Sequence, residues 1–255
     1  MNEVMLQWLK AYPTQTVEPA DVIYREEPDG AHRLLVLPND NIEEHMEEAI
    51  DTAQSTTEYV SRQSAEADTL SLTQALARCM VWLLESSELP VNYQPLTSLS
   101  TAELYEAYRY LAELEGPRDD LDEQLIATDK TLPVPDASWT EERAEDCALW
   151  LTLPQGQEYY APLIIPMGGF NECPEPLLQS VVFREWQQQY HAIPIAVNDS
   201  TWILHALQRP QTDEQALNLA REHTLFCPYV LEGFDTIGEY ASYLKQQNIW
   251  YFWWD

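Results

Sequence analysis

Asn248-Ile249-Trp250-Tyr251-Phe252-Trp253-Trp254-Asp255 is the stretch whose reading decides the fold. Five consecutive aromatics, Trp250 to Trp254, offer no polar side. A short apolar run bounded by turn residues reads as a strand buried on both faces. At roughly 150–250 Å² per aromatic side chain and roughly 25 cal/mol/Å², its burial is worth on the order of 10 kcal/mol gross. The chain is therefore expected to end inside its own core.

Working back from that strand, Asp235 or Thr236 with Glu239 starts a helix on which Ile237, Tyr240, Ala241 and Leu244 recur at helical spacing. Thr212 and Gln215 form a capping box for a helix through about Phe226. Residues 192–197 and 201–207 read as two strands joined by Asn198-Asp199-Ser200. Ahead of them, Gly168-Gly169-Phe170-Asn171-Glu172-Cys173-Pro174 leads into a helix with prolines at its start and Leu178, Val182 and Trp186 inside. Residues 147–153 and 159–165 flank Pro154-Gln155-Gly156-Gln157 and read as a hairpin. Residues 131–136, Thr-Leu-Pro-Val-Pro-Asp, read as an extended linker because Pro133 and Pro135 disfavour helix around them. This division leaves residues 1–130, a linker over 131–145, and residues 146–255.

The first 130 residues read as mostly helical. Residues 1–12 form a short helix with Met5, Trp8 and Leu9 on one side, stopped before Pro13. Residues 22–25 and 32–37 flank Pro28-Asp29-Gly30 and predict a β-hairpin. Asp40 or Asn41 caps a helix with Ile42, Met46, Ala49, Ile50 and Ala53 inward and Glu43, Glu44, Glu47, Glu48 and Asp51 outward. Ser71 with Gln74 opens a second helix that buries Leu72, Leu76, Cys79, Met80 and Leu83. Ser100 with Glu103 opens a third, carrying Leu104, Tyr108 and Leu111 and stopped by Gly116-Pro117. A fourth, shorter helix is expected over residues 118–128.

Charge bounds the function more than any motif does. The chain carries 43 acidic and 13 basic residues, a net of −30, spread over both halves: 26 against 8 in residues 1–130, 17 against 5 in residues 131–255. Such a field repels nucleic acid and anionic membrane and speeds encounter with basic partners. Four cysteines form no Cys-x-x-Cys pair, so no zinc site is expected and no cofactor is implied. The N-terminus has no basic segment followed by a long apolar one, and no apolar run reaches the eighteen or so residues of a membrane span. The expectation is a reduced, cytoplasmic protein.

The C-terminal part resembles a bacterial family known as domain of unknown function 4253. The likeness rests on Gly169-Phe170-Asn171-Glu172-Cys173-Pro174, then Trp186 and Tyr190, Arg209-Pro210, Glu214-Gln215-Ala216-Leu217, Leu219-Ala220-Arg221-Glu222, Cys227-Pro228 and the terminal Trp250-Tyr251-Phe252-Trp253-Trp254-Asp255. It spans roughly residues 146–255. The family often has an acidic residue after its second Cys-Pro, where this chain has Tyr229. The resemblance implies a fold and brings no reaction. By analogy of form, small bacterial α/β domains of this kind resemble immunity partners of secreted toxins.

Cys173 is the best single enzymatic candidate in the sequence. It follows Gly168-Gly169 and precedes a helix, whose dipole favours a thiolate, and His191, His205 or His223 would serve as base. Glu172 and Glu175 oppose that activation, and a structural Cys-Pro turn is the competing reading. The same glycines would leave backbone N–H groups for a phosphate, but no Lys or Arg follows until Arg184. The acidic helix, Glu43, Glu44, Glu47, Glu48 and Asp51, is either a solvated face or a recognition face; it lacks the alternating oxygens and turn glycine of a calcium loop.

The reading is an α/β (α+β) protein: a mostly helical N-terminal region, then a C-terminal α/β domain with a mainly antiparallel sheet ending in a buried terminal strand. Its expected role is a cytoplasmic immunity or inhibitor protein that neutralises a basic toxin effector by direct binding and active-site occlusion. The alternatives are an enzyme using the loop from Gly169 to Cys173, or an acidic DNA mimic that blocks a nucleic-acid-binding protein.

Overall fold

The computed structural model describes residues 3–24, 32–53, 55–84, 89–114, 116–144 and 147–255, the Trp82 side chain excepted. Along the chain run α1 (Glu3–Trp8), β1 (Thr14–Val17), β2 (Arg33–Val36), α2 (Asp40–Thr52), α3 (Thr56–Ala67), α4 (Leu72–Cys79), α5 (Thr101–Leu114) and α6 (Ala137–Glu141). They are followed by β3 (Ala148–Thr152), α7 (Ala161–Ile164), α8 (Pro176–Tyr190), β4 (Ala192–Val197), β5 (Thr201–Ala206), α9 (Asp213–Phe226), α10 (Ile237–Gln246) and β6 (Ile249–Trp253). The six strands form one sheet in the order β1-β3-β2-β4-β5-β6, antiparallel except at β2–β4.

Helices begin where a side-chain cap precedes an apolar stripe. Ser71 and Gln74 cap α4 reciprocally, as do Thr212 and Gln215 on α9, and Thr236 caps α10. The cap of α2 is Asn39, one residue earlier than expected: its extended backbone lets Oδ1 accept from Ile42 N–H at 3.0 Å. α3 was not anticipated, because Thr56 and Ala67 are its only buried positions and so few give no period to read.

Three expectations about elements ahead of the terminal strand are corrected. Residues 22–24 form no hairpin arm, because β2 has its two ladder neighbours in β3 and β4; they cross the outer sheet face instead, where Val22 is buried. The turn expected at Pro28-Asp29-Gly30 and the arm residue Arg25 lie outside the described residues. Residues 159–165 are helical rather than a return strand: Pro162 has no N–H for a ladder and sits in the first turn of α7, while the apolar run beds under α8. Residues 118–128 make only a single 3₁₀ turn, Asp119–Leu121. Their backbone is spent on docking, with Gly238 N–H donating to the Asp122 carbonyl at 2.9 Å. A Cβ at Gly238 would collide with the Gln124 carbonyl, so that approach requires glycine.

Residues on both sides of the extended 131–136 stretch contribute to one sheet and one hydrophobic cluster. β1 and β2 come from the first 130 residues and bracket β3. α1, α2, α4 and α5 bury Trp8, Ile42, Met46, Leu76 and Leu104 in the cluster that also holds Trp186, Phe226 and Phe252. Arg184 on α8 donates to the carbonyls of Ala67 and Leu70 at 3.0 and 2.7 Å, and Arg221 on α9 forks onto Glu123 at 2.8 and 2.7 Å.

β6 ends the chain in this core, but as an edge strand with alternating burial. Trp250, Phe252 and Trp254 are buried, whereas Ile249, Tyr251 and Trp253 are half-covered on the outer face. An edge strand has one ladder neighbour, and the pleat sends successive aromatics to opposite faces. The edge is blunted. Tyr243 hydroxyl donates to the Ile249 carbonyl at 2.7 Å and the Cys227 thiol to the Trp253 carbonyl at 3.1 Å, occupying acceptors that point away from β5.

Candidate functional site

The acidic helix is built as a rigid rail. Ile42, Met46 and Ala49 on α2 are buried, and His45 Nδ1 lies 3.0 Å from the Pro166 carbonyl, fixing the helix to the body. At about 100° per residue, Glu44, Glu47, Glu48 and Asp51 fall within about one quarter to one third of a turn, opposite the buried stripe. All four are exposed, and among the described residues none of them makes an ion pair. Glu43 lies at the margin of that face and is half-buried. Like charges at i,i+4, as in Glu44–Glu48 and Glu47–Asp51, destabilise a helix by roughly 0.2–0.5 kcal/mol per pair.

The glycine–cysteine loop closes on itself. Gly168 has φ +126° and Gly169 φ +81°, and a Cβ at Gly168 would collide with Gln179 and the Pro174 carbonyl. Gly169 N–H donates to the carbonyls of Cys173 and Pro174 at 3.1 and 3.3 Å, and Cys173 N–H donates to the Phe170 carbonyl at 2.8 Å. These donors are therefore turned inward, away from where a phosphate would sit. Buried Gln179 staples the loop, its Nε2 donating to the carbonyls of Met167 and Pro174 at 2.7 and 2.6 Å.

Cys173 sits inside this turn, only 4% exposed. Its hydrogen-bonding neighbours are Met167, Pro174 and Gln179. Burial, with Cys227 and Cys79 nearby, pushes its thiol well above the ordinary cysteine range. The three histidines lie elsewhere. His191 is exposed at the left-handed C-cap of α8, and His205 faces the outer side of the sheet. His223 is enclosed by Trp186, Trp250 and Phe252, with Nδ1 2.7 Å from the Tyr240 hydroxyl, and burial pushes its pKa well down. Among the described residues, none of the three is a hydrogen-bond partner of Cys173.

The loop instead docks the end of the chain. Asn171, with φ 43°, donates from Nδ2 to the Asp255 carbonyl at 2.6 Å. Tyr229 donates its hydroxyl to Glu172 at 3.1 Å and packs on Trp253 at 5.0 Å between ring centroids. The loop residues, Cys227-Pro228 and the terminal aromatics thus form one assembly, which accounts physically for their appearing together as a motif.

Sequence reasoning missed the outer sheet face. There Arg33 from β2, Trp150 from β3, Ile193 and Ile195 from β4 and His205 from β5 line a cleft of about 200 Å³ closed along one side by Asp21, Ile23 and Tyr24. The signal was available in the alternation of β5, whose Trp202, Leu204 and Ala206 enter the main core while Ile203 and His205 turn the other way. Recognising it required knowing which strands stand beside β5.

Among the described residues, no helix is long and apolar enough to cross a membrane, and no group of three or more His, Cys, Asp or Glu side chains is placed to hold a metal ion. No curated protein and no solved structure matches the chain. Residues 150–255, from within β3 to the last residue, match the family model described as Domain of unknown function (DUF4253), so the part of the chain built on the glycine–cysteine loop and the terminal aromatics is similar to that family.

Proposed function

We propose that this protein binds a basic protein partner through the exposed face of α2, as a cytoplasmic immunity or inhibitor protein that occludes a Lys/Arg-lined active site. The observation that carries the reading is the run Glu44, Glu47, Glu48 and Asp51, unpaired among the described residues and held on a helix whose other side is locked into the core. A solvated face gains nothing from like charges kept at i,i+4, whereas a recognition face does. With a rise of about 1.5 Å per residue, four carboxylates span roughly 10 Å. That linear density is close to the one phosphate per roughly 3.4 Å of a nucleic-acid strand. The partner surface that fits best is therefore one shaped for nucleic acid, and a net charge of −30 accelerates the encounter. The burial of Cys173 and the inward-turned N–H groups of its loop weigh against an enzyme built on residues 169–173.

The test pairs the protein with the product of the gene beside its own, compared as wild type and as the Glu44→Gln, Glu47→Gln, Glu48→Gln variant at two ionic strengths. The variant is expected to melt at the same temperature or slightly higher, associate more slowly at low salt and show a flatter salt dependence. An unchanged association rate and salt slope would remove α2 as the recognition face.

A further inference from the structure

A second cleft on the outer sheet face, about 500 Å³ and open to solvent, lies where the turn between β4 and β5 meets β6. One wall is that turn, Asn198-Asp199-Ser200, with Thr201; Tyr251 and Trp253 of β6 line the cleft beside it. In the β5–β6 ladder Thr201 stands opposite Trp253 and Ile203 opposite Tyr251, so both rings project from one face, roughly 6–7 Å apart along the strand. Both are half-covered. Tyr229 packs on the Trp253 indole at 5.0 Å between ring centroids, and Trp254 N–H donates to the Ser200 carbonyl at 3.0 Å, tying the turn to the strand. The turn carries hydrogen-bonding capacity that the fold leaves unused. Asn198 and Thr201 are only 6% and 3% exposed. Asn198 Oδ1 accepts from Ser200 N–H at 3.0 Å, but its Nδ2 and the Thr201 hydroxyl have no partner among the described residues. Neither atom is sealed from solvent, so both open into the cleft that their residues line. Asp199 accepts from Asn41 Nδ2 at 3.5 Å through Oδ2, which leaves Oδ1 open, and it makes no ion pair with Arg143 across the same cleft.

We infer that this cleft is a binding site for a neutral carbohydrate, two linked pyranose rings. The open groups are an amide donor on Asn198, a hydroxyl on Thr201 that both donates and accepts, and a carboxylate acceptor on Asp199. Sugar hydroxyls donate and accept at once, so one ligand satisfies all three. The C–H face of a pyranose packs on Tyr251 and Trp253, whose rings offer flat, weakly polar surface. Charge selects a neutral ligand. An anion would meet Asp199, while Arg143 is already engaged by Glu142 at 2.9 Å and by the Trp139 ring at 5.2 Å. A cation would meet Arg143 and the Asn198 amide donor. The net charge of −30 repels anions and exerts no net force on a neutral molecule. The volume lies within the roughly 300–1,000 Å³ of small-molecule sites, and two platform rings along one strand suit two successive sugar rings better than one small polyol. None of the exposed carboxylates of α2, Glu44, Glu47, Glu48 and Asp51, lines this cleft, so the inference stands apart from the recognition face.

The full-length protein is titrated calorimetrically near neutral pH with cellobiose, maltose, mannobiose and N,N′-diacetylchitobiose. Glycerol serves as the polyol without a ring, and adenosine as the flat heteroaromatic that would use the same rings and polar groups. Saturable one-to-one binding of at least one disaccharide is expected, with glycerol and adenosine about tenfold weaker or worse. Asp199→Asn keeps the shape of the turn and removes the charge; it should weaken disaccharide binding about tenfold, the difference between a charge-assisted and a neutral hydrogen bond. Tyr251→Ala removes one platform ring from a half-covered position and should lose about three- to tenfold. Asp199 lies on a turn, so a melt of Asp199→Asn identical to wild type is expected and separates recognition from folding. No saturation by any of the four disaccharides, equal affinity for glycerol, tighter binding of adenosine, or binding unaltered by Asp199→Asn would each overturn the assignment.

Discussion

The two faces of the sheet are built from the same strands and could hardly differ more. The inner face is a close aromatic pack: Trp186 stacks on Phe252 at 5.2 Å and meets Trp250 and Phe226 edge-on at 5.6 and 5.3 Å. The outer face has a small cluster around Leu35, Trp139, Ala196 and Ile203, and beside it clefts and half-covered side chains such as Trp150, Ile195 and Tyr251. Helices from the whole length of the chain converge on the inner side, whereas the outer side receives, among the described residues, α6 and the segment around residues 19–24. Stability therefore resides on one face, and polar groups have room to converge on the other.

The strongest way to break this contrast is to remove residues 250–255. The deletion takes Trp250, Phe252 and Trp254 from the inner pack and the Asn171–Asp255 bond from the loop. Loss of the cooperative thermal transition and of near-ultraviolet circular dichroism is expected. A melt close to that of the intact chain would show that the inner face stands without its edge strand.

A finer comparison uses neighbours on one strand. Phe252→Ala empties a fully buried site and is expected to destabilise by about 3–5 kcal/mol. Tyr251→Ala, one residue away on the half-covered face, should destabilise by about 1 kcal/mol or less. Denaturant titrations of the two variants read the difference between the faces directly, and equal losses would erase the distinction.

The smallest expected effect lies in the inner face's own polar residues. Glu222 is 9% exposed and accepts from Trp186 Nε1 at 2.9 Å; burial pushes its pKa up to about 7, against the lowering effect of that bond. A carboxyl whose folded pKa is raised favours the folded state while protonated, and that contribution is lost as pH rises from about 4.5 to about 7. Glu222→Gln keeps an acceptor for Trp186 and has no charge to bury. It is expected to match wild type near pH 4.5 and to exceed it by on the order of 1–2 kcal/mol at pH 8. His223 has the opposite sign, since its depressed pKa lowers stability as pH falls below about 6.5, but it is present in both proteins and drops out of the difference. Parallel stability curves for the two proteins from pH 4.5 to 8 would mean that Glu222 is ionised in the core at no cost.

The helices were legible because their signals are local. Ser71 with Gln74, Thr212 with Gln215 and Thr236 with Glu239 each place a cap and a stripe within one or two turns, and the structure begins a helix at each. The acidic face of α2 and the buried turn around Cys173 were likewise readable, from 3.6-residue spacing and from glycines that permit positive φ. The misread elements had ambiguous local signals: residues 159–165 are apolar enough for a strand, and only their bed under α8 and the missing N–H of Pro162 make them helical.

By itself, then, the sequence determined where most helices start, that the chain ends in an aromatic core strand, and that its surface is acidic, because caps, periodicity and charge depend on residues within a few positions of each other. Only the tertiary structure decided that β3 inserts between β1 and β2, that β2 runs parallel to β4, and that β6 lies at an edge with one face inward. The first two choices pair residues more than a hundred positions apart, such as Leu35 with Trp150 and with Ala196, and the third pairs residues about fifty apart, such as Trp202 with Phe252. No local pattern encodes them, and they alone bring Arg33, Trp150 and His205 to one cleft.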